Sequence, residues 1–284
     1  MFEIVSKRQL APNIVEMKVN APRVASSALP GQFVIVRTDR AGERIPLTIC
    51  DYDPEGGTVT IVTQSVGHSS QKINGMNPGE SFADFAGPLG CPSDLLDLPE
   101  EILREKKILF VAGGVGTAPV YPQVKWLSSR GVTADVVIGA KTKDLFTYVD
   151  EMKTVGNVYL CTDDGSEGFH GMVTGLMKDL IDNQGKKYDH CVIIGPMIMM
   201  KFAALTTKEY GIPTVVSLNA LMVDGTGMCG ACRVTVDGQT RFTCVEGPEF
   251  DGHKVDFDEA MRRQNMYRDN KKTHPETHNC KCNG

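Results

Sequence analysis

The sequence predicts an antiparallel β-barrel, then a doubly wound parallel-sheet α/β domain, then a small cysteine-bearing segment. Three observations predict it. Short β-branched runs bounded by Pro, Gly or Asp crowd residues 1–98. From Lys106, continuous apolar strands alternate with amphipathic helices, the pattern of a sheet covered on both faces. After Leu221 the chain becomes rich in glycine and cysteine. The expected boundaries are 1–98 for the barrel, 99–222 for the α/β domain and 223–268 for the cysteine segment with a closing helix. Residues 269–284 form a polar, Pro-containing tail, expected to be disordered.

In the first region FEIVSKRQL, IVEMKVN, QFVIVRT, PLTICDYD and TVTIVTQSV each alternate partially and show little helical periodicity, which favours a barrel. DFAGPLGCPSDLLDLPEE reads as a Gly/Pro-rich linker that closes it. In the second region KKILFVAGGVGTAP gives a buried strand, a glycine turn and a helix through VYPQVKWLSSRG. ADVVIGAKT, NVYLCTDD, HCVIIGP and IPTVVSLNAL supply further strands, separated by helical stretches such as GMVTGLMKDLIDNQG and PMIMMKFAALTTKEYG. Ligands of such sheets bind at the C-terminal strand ends. In the third region CRVTVDGQTRFTCV predicts a hairpin turning at Asp237-Gly238, and DFDEAMRRQNMYRDN a helix.

Composition narrows the function classes. At 284 residues the chain has room for two cores, and no run reaches the roughly 18 apolar residues that span a bilayer. The first ten residues are too polar for a secretory signal, so a cytoplasmic protein is expected. A net charge of -5 without a Lys/Arg block argues against nucleic acid as the main partner. Nine cysteines without a secretion signal point to metal binding rather than disulfides. Cys50, Cys91, Cys161 and Cys191, scattered among apolar or turn residues, read as buried structural thiols.

Three stretches carry candidate chemistry. Gly113, Gly114, Gly116 and Thr117 lie between a buried strand and a helix, where free amides and the helix dipole stabilise a pyrophosphate; Pro119 suits the first helical turn. The bland alternative is a tight turn without a ligand. Gly195, Pro196 and Met197 end another parallel strand, where the nicotinamide half of a dinucleotide can rest. Asp163 and Asp164, after the third strand of the sheet, would repel a 2'-phosphate and accept from ribose hydroxyls, which favours NAD(H); a solvated acidic turn is the alternative. His68, His170 and His253 have no ligand-spaced neighbours and read as ordinary histidines. Cys229, Cys232 and Cys244 sit in a loop and hairpin whose Gly225, Gly227 and Gly230 can take positive φ, which suits an iron-sulfur cluster. Structural zinc is the alternative, although zinc ribbons pair two C-x-x-C knuckles and one is present here.

The strand-rich first region joined to GGVGTAP and GPMIMMK resembles the ferredoxin-NADP reductase superfamily over roughly residues 1–222. That resemblance implies an FAD-binding barrel and an NAD(P)H-binding second domain. The family's flavin signature, an Arg, a variable pair and a Ser or Thr, is matched by RIPLTICDYD, with Pro46, Leu47 and Thr48 at the flavin and Thr48 near its N5. Ile45 occupies the expected Arg position, and Arg44, displaced by one, is expected to face away from the flavin diphosphate. Val62, Thr63 and Gln64, with Gly67, Ser69 and Ser70 of SVGHSS, complete the implied FAD contacts. Ile194 stands where many relatives carry Cys before Gly-Pro.

The cysteine segment resembles the dihydroorotate dehydrogenase electron-transfer subunits, whose four-cysteine cluster has its first ligand about five positions before the C-x-x-C. Asp224 occupies that place. An Asp there, together with CVEGPEFDGHKVDFDEAMRRQNMY, resembles the small subunits of NADH-dependent reduced ferredoxin:NADP oxidoreductase and of sulfide dehydrogenase. The resemblance implies a 2Fe-2S cluster on Asp224, Cys229, Cys232 and Cys244. It further implies hydride exchange between NAD(H) and FAD without a catalytic side chain, since the cofactors carry the chemistry. Single electrons would pass to a larger partner carrying flavin and 4Fe-4S clusters, forming a heterodimer that reaches ferredoxin and NADP(H) through the partner, with electron bifurcation. The alternatives are a dihydroorotate dehydrogenase electron-transfer subunit and a zinc-bearing nucleotide-binding regulatory module. In the tail, His274, His278, Cys280 and Cys282 are four further donors for a transition metal, with disorder the favoured reading.

Overall fold

The computed structural model describes residues 2–266, and the first sheet is the expected antiparallel barrel. Its strands are β1 (Phe2–Ala11), β2 (Ile14–Asn20), β3 (Phe33–Arg37), β4 (Ile45–Asp53), β5 (Thr58–Gln64), β6 (Ser81–Phe82) and β7 (Asp84–Leu89), in the order β6-β1-β2-β5-β4-β3-β7. The end strands β6 and β7 are separated by Ala83 alone, whose N–H donates to the Arg37 carbonyl. The sheet therefore curls to near closure and leaves little free edge. Alternate residues Val15, Met17, Val19, Val34, Val36, Val59 and Ile61 point inward, joined by Val24 and Ala25 of α1 (Pro22–Ala25). α2 (His68–Gly75) follows β5.

DFAGPL is a strand rather than the start of a linker. Arg37, Val36 and Ile35 of β3 pair with Asp84, Phe85 and Ala86 of β7, and Phe85 is buried in the barrel core. Its Gly and Pro content imitates a loop, but the alternation around Phe85 decides the outcome.

Next come α3 (Glu100–Glu105), β8 (Ile108–Gly113), α4 (Thr117–Ser128), β9 (Asp135–Ala140), α5 (Val149–Lys153), β10 (Asn157–Thr162), β11 (Phe169–His170), α6 (Val173–Lys178), β12 (His190–Ile194), α7 (Met197–Glu209) and β13 (Thr214–Ser217). The last elements are β14 (Arg233–Val236), β15 (Gln239–Phe242), α8 (Thr243–Glu246), β16 (Glu249–Asp251) and α9 (Phe257–Gln264). The second sheet runs β11-β10-β9-β8-β12-β13-β16, parallel except for β16. Phe110, Val136 and Val192 pack on one face with Val120, Val124 and Leu127 of α4, while Leu109, Val137 and Ile193 pack on the other with Met177, Met200 and Ala203. This is a doubly wound sheet, and its strand order reverses between β8 and β12.

The segment after residue 222 does not stay apart from this domain. β16 pairs antiparallel with β13, Val216 opposite Phe250, and Phe257 and Ala260 of α9 share a core with Met197, Met200 and Val234. The apolar side chains of the closing helix are what draw it back. His274, His278, Cys280, Cys282 and the expected disordered tail lie outside the described residues. Among the described residues, no helix is long and apolar enough to cross a membrane.

An apolar patch joins barrel and α/β domain: Ala11, Ile14, Cys50 and Val62 against Ala118 and Tyr148. Around it Lys125 Nζ reaches both Asp51 oxygens at 2.8 Å, and the Tyr148 hydroxyl donates to Glu16 at 2.5 Å. Exposed ion pairs contribute only about 0–1 kcal/mol, so the patch, not the rim, sets how the domains meet.

A second junction is polar. Gln123 Nε2 on α4 donates to Glu249 Oε1 at 2.6 Å, and Ser93 Oγ donates to Gln123 Oε1 at 3.1 Å. The Glu249 carboxyl is shut off from water, Oε2 has no partner, and burial pushes its pKa up to about 7. The unfolded chain ionises Glu249 near pH 4.5, whereas the folded chain holds the proton until about pH 7. Stability is therefore lost as pH rises through that window, by about 3 kcal/mol for the full shift. Glu249→Gln is expected to match the parent at pH 4.5 and exceed it at pH 8, read as thermal midpoints across pH. Parallel curves would show that Glu249 is not held protonated.

Candidate functional site

The strand-order reversal places two loops side by side. β8 ends at Gly113, the chain makes one tight turn over Gly114–Gly116, and α4 starts at Thr117, whose hydroxyl donates to the Gly114 carbonyl at 3.0 Å. β12 ends at Ile194, and α7 starts at Met197 behind Pro196. A Cβ on Gly116 would overlap the Ile194 carbonyl oxygen and stand 3.0 Å from the Gly195 Cα, so here the two backbones touch. The structure thus brings Gly113, Gly114, Gly116 and Thr117 together with Gly195, Pro196 and Met197. Two helix N-termini, each a positive dipole end, start at the crevice, an arrangement that can hold a dinucleotide's phosphates.

Asp163 and Asp164 stand two strands away, at the end of β10. They differ. Asp164 Oδ1 accepts from the Ser166 amide at 3.0 Å and hydroxyl at 2.6 Å, which holds its carboxyl below the usual range and spends it on its own turn. Asp163 is exposed, with no side-chain hydrogen bond among the described residues. It is the carboxylate free to meet a ribose.

On the barrel side, β4 packs on α4 and β5 on the Gly114–Gly116 turn. Pro46, Leu47 and Thr48 on β4 are half-buried, opposite Ile35, Val34 and Phe33. Val62 faces the domain patch, Thr63 is buried, and Gln64 ends β5 half-buried. Ser70 is consumed internally: its hydroxyl accepts from the Val66 and Gly67 amides and donates to the Gly67 carbonyl, all at 2.9 Å. Ser69 donates its hydroxyl to Glu43. What SVGHSS offers a diphosphate is therefore backbone, the first-turn amides of His68, Ser69 and Ser70 on α2, which have no intrahelical acceptor. That cradle fits the phosphates of FAD.

The cysteine segment brings two donor sulfurs together and ties the other two donor residues through the backbone. Cys232 and Cys244 are buried with sulfurs 3.3 Å apart, registered by Thr243, whose hydroxyl donates to the Cys232 carbonyl at 2.8 Å. Burial and the neighbouring thiol push Cys244 up to about 12, so it keeps its proton unless a metal replaces it. Asp224 is joined to Cys229: its Oδ2 accepts from the Cys229 amide at 2.8 Å and its Oδ1 from the Thr226 amide at 2.9 Å, which lowers its pKa. Cys229 itself is exposed. Among the described residues no three donors converge on one point. The donor set nonetheless fits a two-iron cluster, in which each iron needs two protein ligands. D-x4-C-x2-C followed by Cys244 is the plant-type ferredoxin spacing with Asp for the first Cys.

The loop rests on the barrel. A Cβ at Gly225, whose φ is +79°, would lie 2.8 Å from the Ile35 and Leu89 methyls, and Phe33, Ile35, Met222, Cys232 and Cys244 share one apolar cluster. Arg44 Nε donates to the Val223 carbonyl at 2.6 Å across 179 positions, a contact no local spacing announces. Of the scattered thiols, Cys50, Cys161 and Cys191 are buried, whereas Cys91 is exposed, in the connection after β7 with its sulfur 3.3 Å from the Val245 carbonyl.

Comparison with known proteins fits this arrangement. The iron-sulfur cluster binding domain of dihydroorotate dehydrogenase B matches residues 219–256, which include Asp224 and all three candidate cysteines. The chain is 59% identical over 269 residues to an uncharacterized protein of Clostridium beijerinckii, covering 94% of this chain and 91% of that protein. It is 46% identical over 270 residues to the dihydroorotate dehydrogenase B (NAD(+)) electron transfer subunit homolog of Thermotoga maritima, covering 95% and 93%. A solved structure of the NADH-dependent reduced ferredoxin-NADP oxidoreductase, studied for flavin-based electron bifurcation, superposes with a TM-score of 0.88 at 43% identity, covering 96% of this chain and 95% of that one. By these matches the chain belongs to the family of dihydroorotate dehydrogenase B electron transfer subunits and their homologs, with the ferredoxin-NADP reductase fold.

Proposed function

We propose that the chain is the NAD(H)-reactive electron-transfer subunit of a cytoplasmic flavin-based oxidoreductase. The carrying observation is the Asp224/Cys229 and Cys232/Cys244 pairs, seated on the same barrel that borders the switch-point crevice. FAD, when bound, supplies the exchange between a two-electron hydride and single electrons, and the 2Fe-2S cluster supplies the one-electron outlet. The protein's own residues bind and orient. Gly113, Gly114, Gly116 and Thr117 receive the pyrophosphate, and Gly195, Pro196 and Met197 seat the nicotinamide. Pro46, Leu47, Thr48, the strand end Val62, Thr63 and Gln64, and the first turn of α2 hold the flavin nucleotide. Asp224, Cys229, Cys232 and Cys244 ligate the cluster.

The partner is a larger subunit carrying flavin and 4Fe-4S clusters. Met228, 89% exposed, stands beside the exposed Cys229, and Leu221, Val223 and Val245 of the same segment are also exposed, an apolar surface suited to docking another subunit there. Asp224 in place of a cysteine favours the bifurcating NADH-dependent ferredoxin:NADP oxidoreductase over a dihydroorotate dehydrogenase, for which the matched cluster domain speaks. The subunit that co-purifies decides between them.

The purified protein is expected to be coloured, with flavin, iron and acid-labile sulfide; a colourless protein holding zinc alone would end this reading. NADH is expected to exceed NADPH by roughly tenfold in kcat/KM with an artificial acceptor, because an unpaired carboxylate beside a 2'-phosphate costs on the order of 1–2 kcal/mol at a surface. Asp163→Asn should narrow that gap and Asp164→Asn should not, except through its turn. An NADPH preference would show that Asp163 does not meet the ribose.

A further inference from the structure

We propose that Arg44 is a positioning residue for the iron-sulfur centre, tying the flavin strand of the barrel to the backbone that carries Asp224. The inference rests on the cluster reading above and goes beyond it. Arg44 lies one residue before β4, two before Pro46 of the flavin stretch. Its Nε donates to the Val223 carbonyl at 2.6 Å. Its Nη1 lies 3.6 Å from Asp84 Oδ2 on β7, and the same oxygen is 2.7 Å from Arg37 Nε on β3. Three elements of the barrel are thus chained to the peptide that leads into Asp224. Among the described residues this is the one hydrogen bond from the barrel to residues 223–228; beneath it the loop lies on the methyls of Ile35 and Leu89.

The guanidinium does two things there. A planar fork can donate to a carbonyl with one nitrogen and face a carboxylate with another, which a lysine ammonium on its flexible stem does less well. Fixing the Val223 carbonyl fixes the peptide plane from which the Asp224 side chain departs. The group also brings a positive charge to the loop, and a positive charge favours the more negative, reduced state of a nearby redox centre. In the superfamily signature the arginine stands one position later, at Ile45. The displacement by one residue turns Arg44 away from that place and towards the cluster loop.

The test uses the full-length holoprotein and the variants Arg44→Ala, Arg44→Lys and Asp84→Asn. It measures FAD affinity by flavin fluorescence, iron and sulfide per flavin, the electron paramagnetic resonance signature of the reduced cluster, and its potential by redox titration. Arg44→Ala should leave FAD affinity within about twofold, as expected for sites that share no contacts. It should also lower the iron retained per flavin, change the resonance signature and move the potential downward. Arg44→Lys should recover part of the potential, which follows charge, but not the signature, which follows geometry. Asp84→Asn, keeping Arg44 but loosening it, should change the signature in the same sense, and it carries the test if Arg44→Ala fails to fold. A roughly tenfold weaker FAD affinity with an unchanged cluster would assign Arg44 to the flavin diphosphate instead and overturn the proposal. Variants indistinguishable from the parent in signature and potential would overturn it too. A parent protein without iron and sulfide would overturn the cluster reading itself, and the proposal with it.

Discussion

Gly116→Val is expected to reduce NADH-dependent turnover by roughly a hundredfold while leaving flavin and cluster in place, because about 3 kcal/mol of misplacement at the crevice translates into that factor. The Cβ alone collides: it would occupy the space of the Ile194 carbonyl oxygen and press on the Gly195 Cα. Neither neighbour is a flexible side chain that can rotate away. Relief requires the turn over Gly114–Gly116 to part from the β12 loop, which moves both helix N-termini off the positions from which they face a dinucleotide. Gly116→Ala, carrying the same Cβ, should already show a large part of the loss. Overpacking of this kind also costs about 1–3 kcal/mol of stability, so the thermal midpoint should fall by several degrees. A chemical reductant separates the two effects. Dithionite should still reduce the variant's flavin and cluster, since the added Cβ presses on the β12 loop and not on the barrel or the cysteine loop, whereas NADH should not. A variant that NADH reduces at the parent's rate would show that the crevice is not the nucleotide site.

That crevice and the cysteine loop were legible in the sequence because their chemistry depends on local spacing. A strand, three glycines and a helix start within nine residues, or an Asp and two cysteines within nine, state their geometry before any packing is known. Contacts between distant segments were not legible. Nothing near Val216 announces that Phe250 will pair with it, so the cysteine segment read as an appendix although β16 and α9 complete the α/β domain. Arg44 and Val223, or Gln123 and Glu249, meet only after the barrel and the sheet have set their directions. Residue type misled where a polar group could satisfy itself. Ser70 and Asp164 belong to the chemical types that hold phosphate and ribose, yet both close their own turns. Glycine and proline misled in β7, where punctuation suited to a loop sits in a paired strand.

Asp224 itself is expected to behave as a ligand, and three substitutions separate that role from a purely structural one. Its carboxylate accepts two loop amides, from Thr226 and Cys229, and each oxygen retains a further lone pair for metal. Asp224→Ala removes both the amide acceptor and the donor to iron, so cluster content should fall to a small fraction of the parent's. Asp224→Asn keeps one of the two acceptor oxygens for the loop but withdraws the anionic ligand; cluster content should fall with only a small drop in the thermal midpoint of the metal-free protein, smaller than that of Asp224→Ala. Asp224→Cys makes the deciding comparison. A thiolate donates more electron density to iron than a carboxylate, which stabilises the oxidised state. The Cys variant should therefore retain its cluster with a potential lowered by on the order of 60 mV, a tenfold change in a one-electron equilibrium. If Asp224 only buttressed the loop, cysteine could not replace it, since a thiol is a weak acceptor for the two amides, and the cluster would be lost as in Asp224→Ala. Retention with a lower potential and loss without rescue are opposite outcomes of one preparation, because the same side chain either completes the pair with Cys229 on iron or holds the loop that presents Cys229.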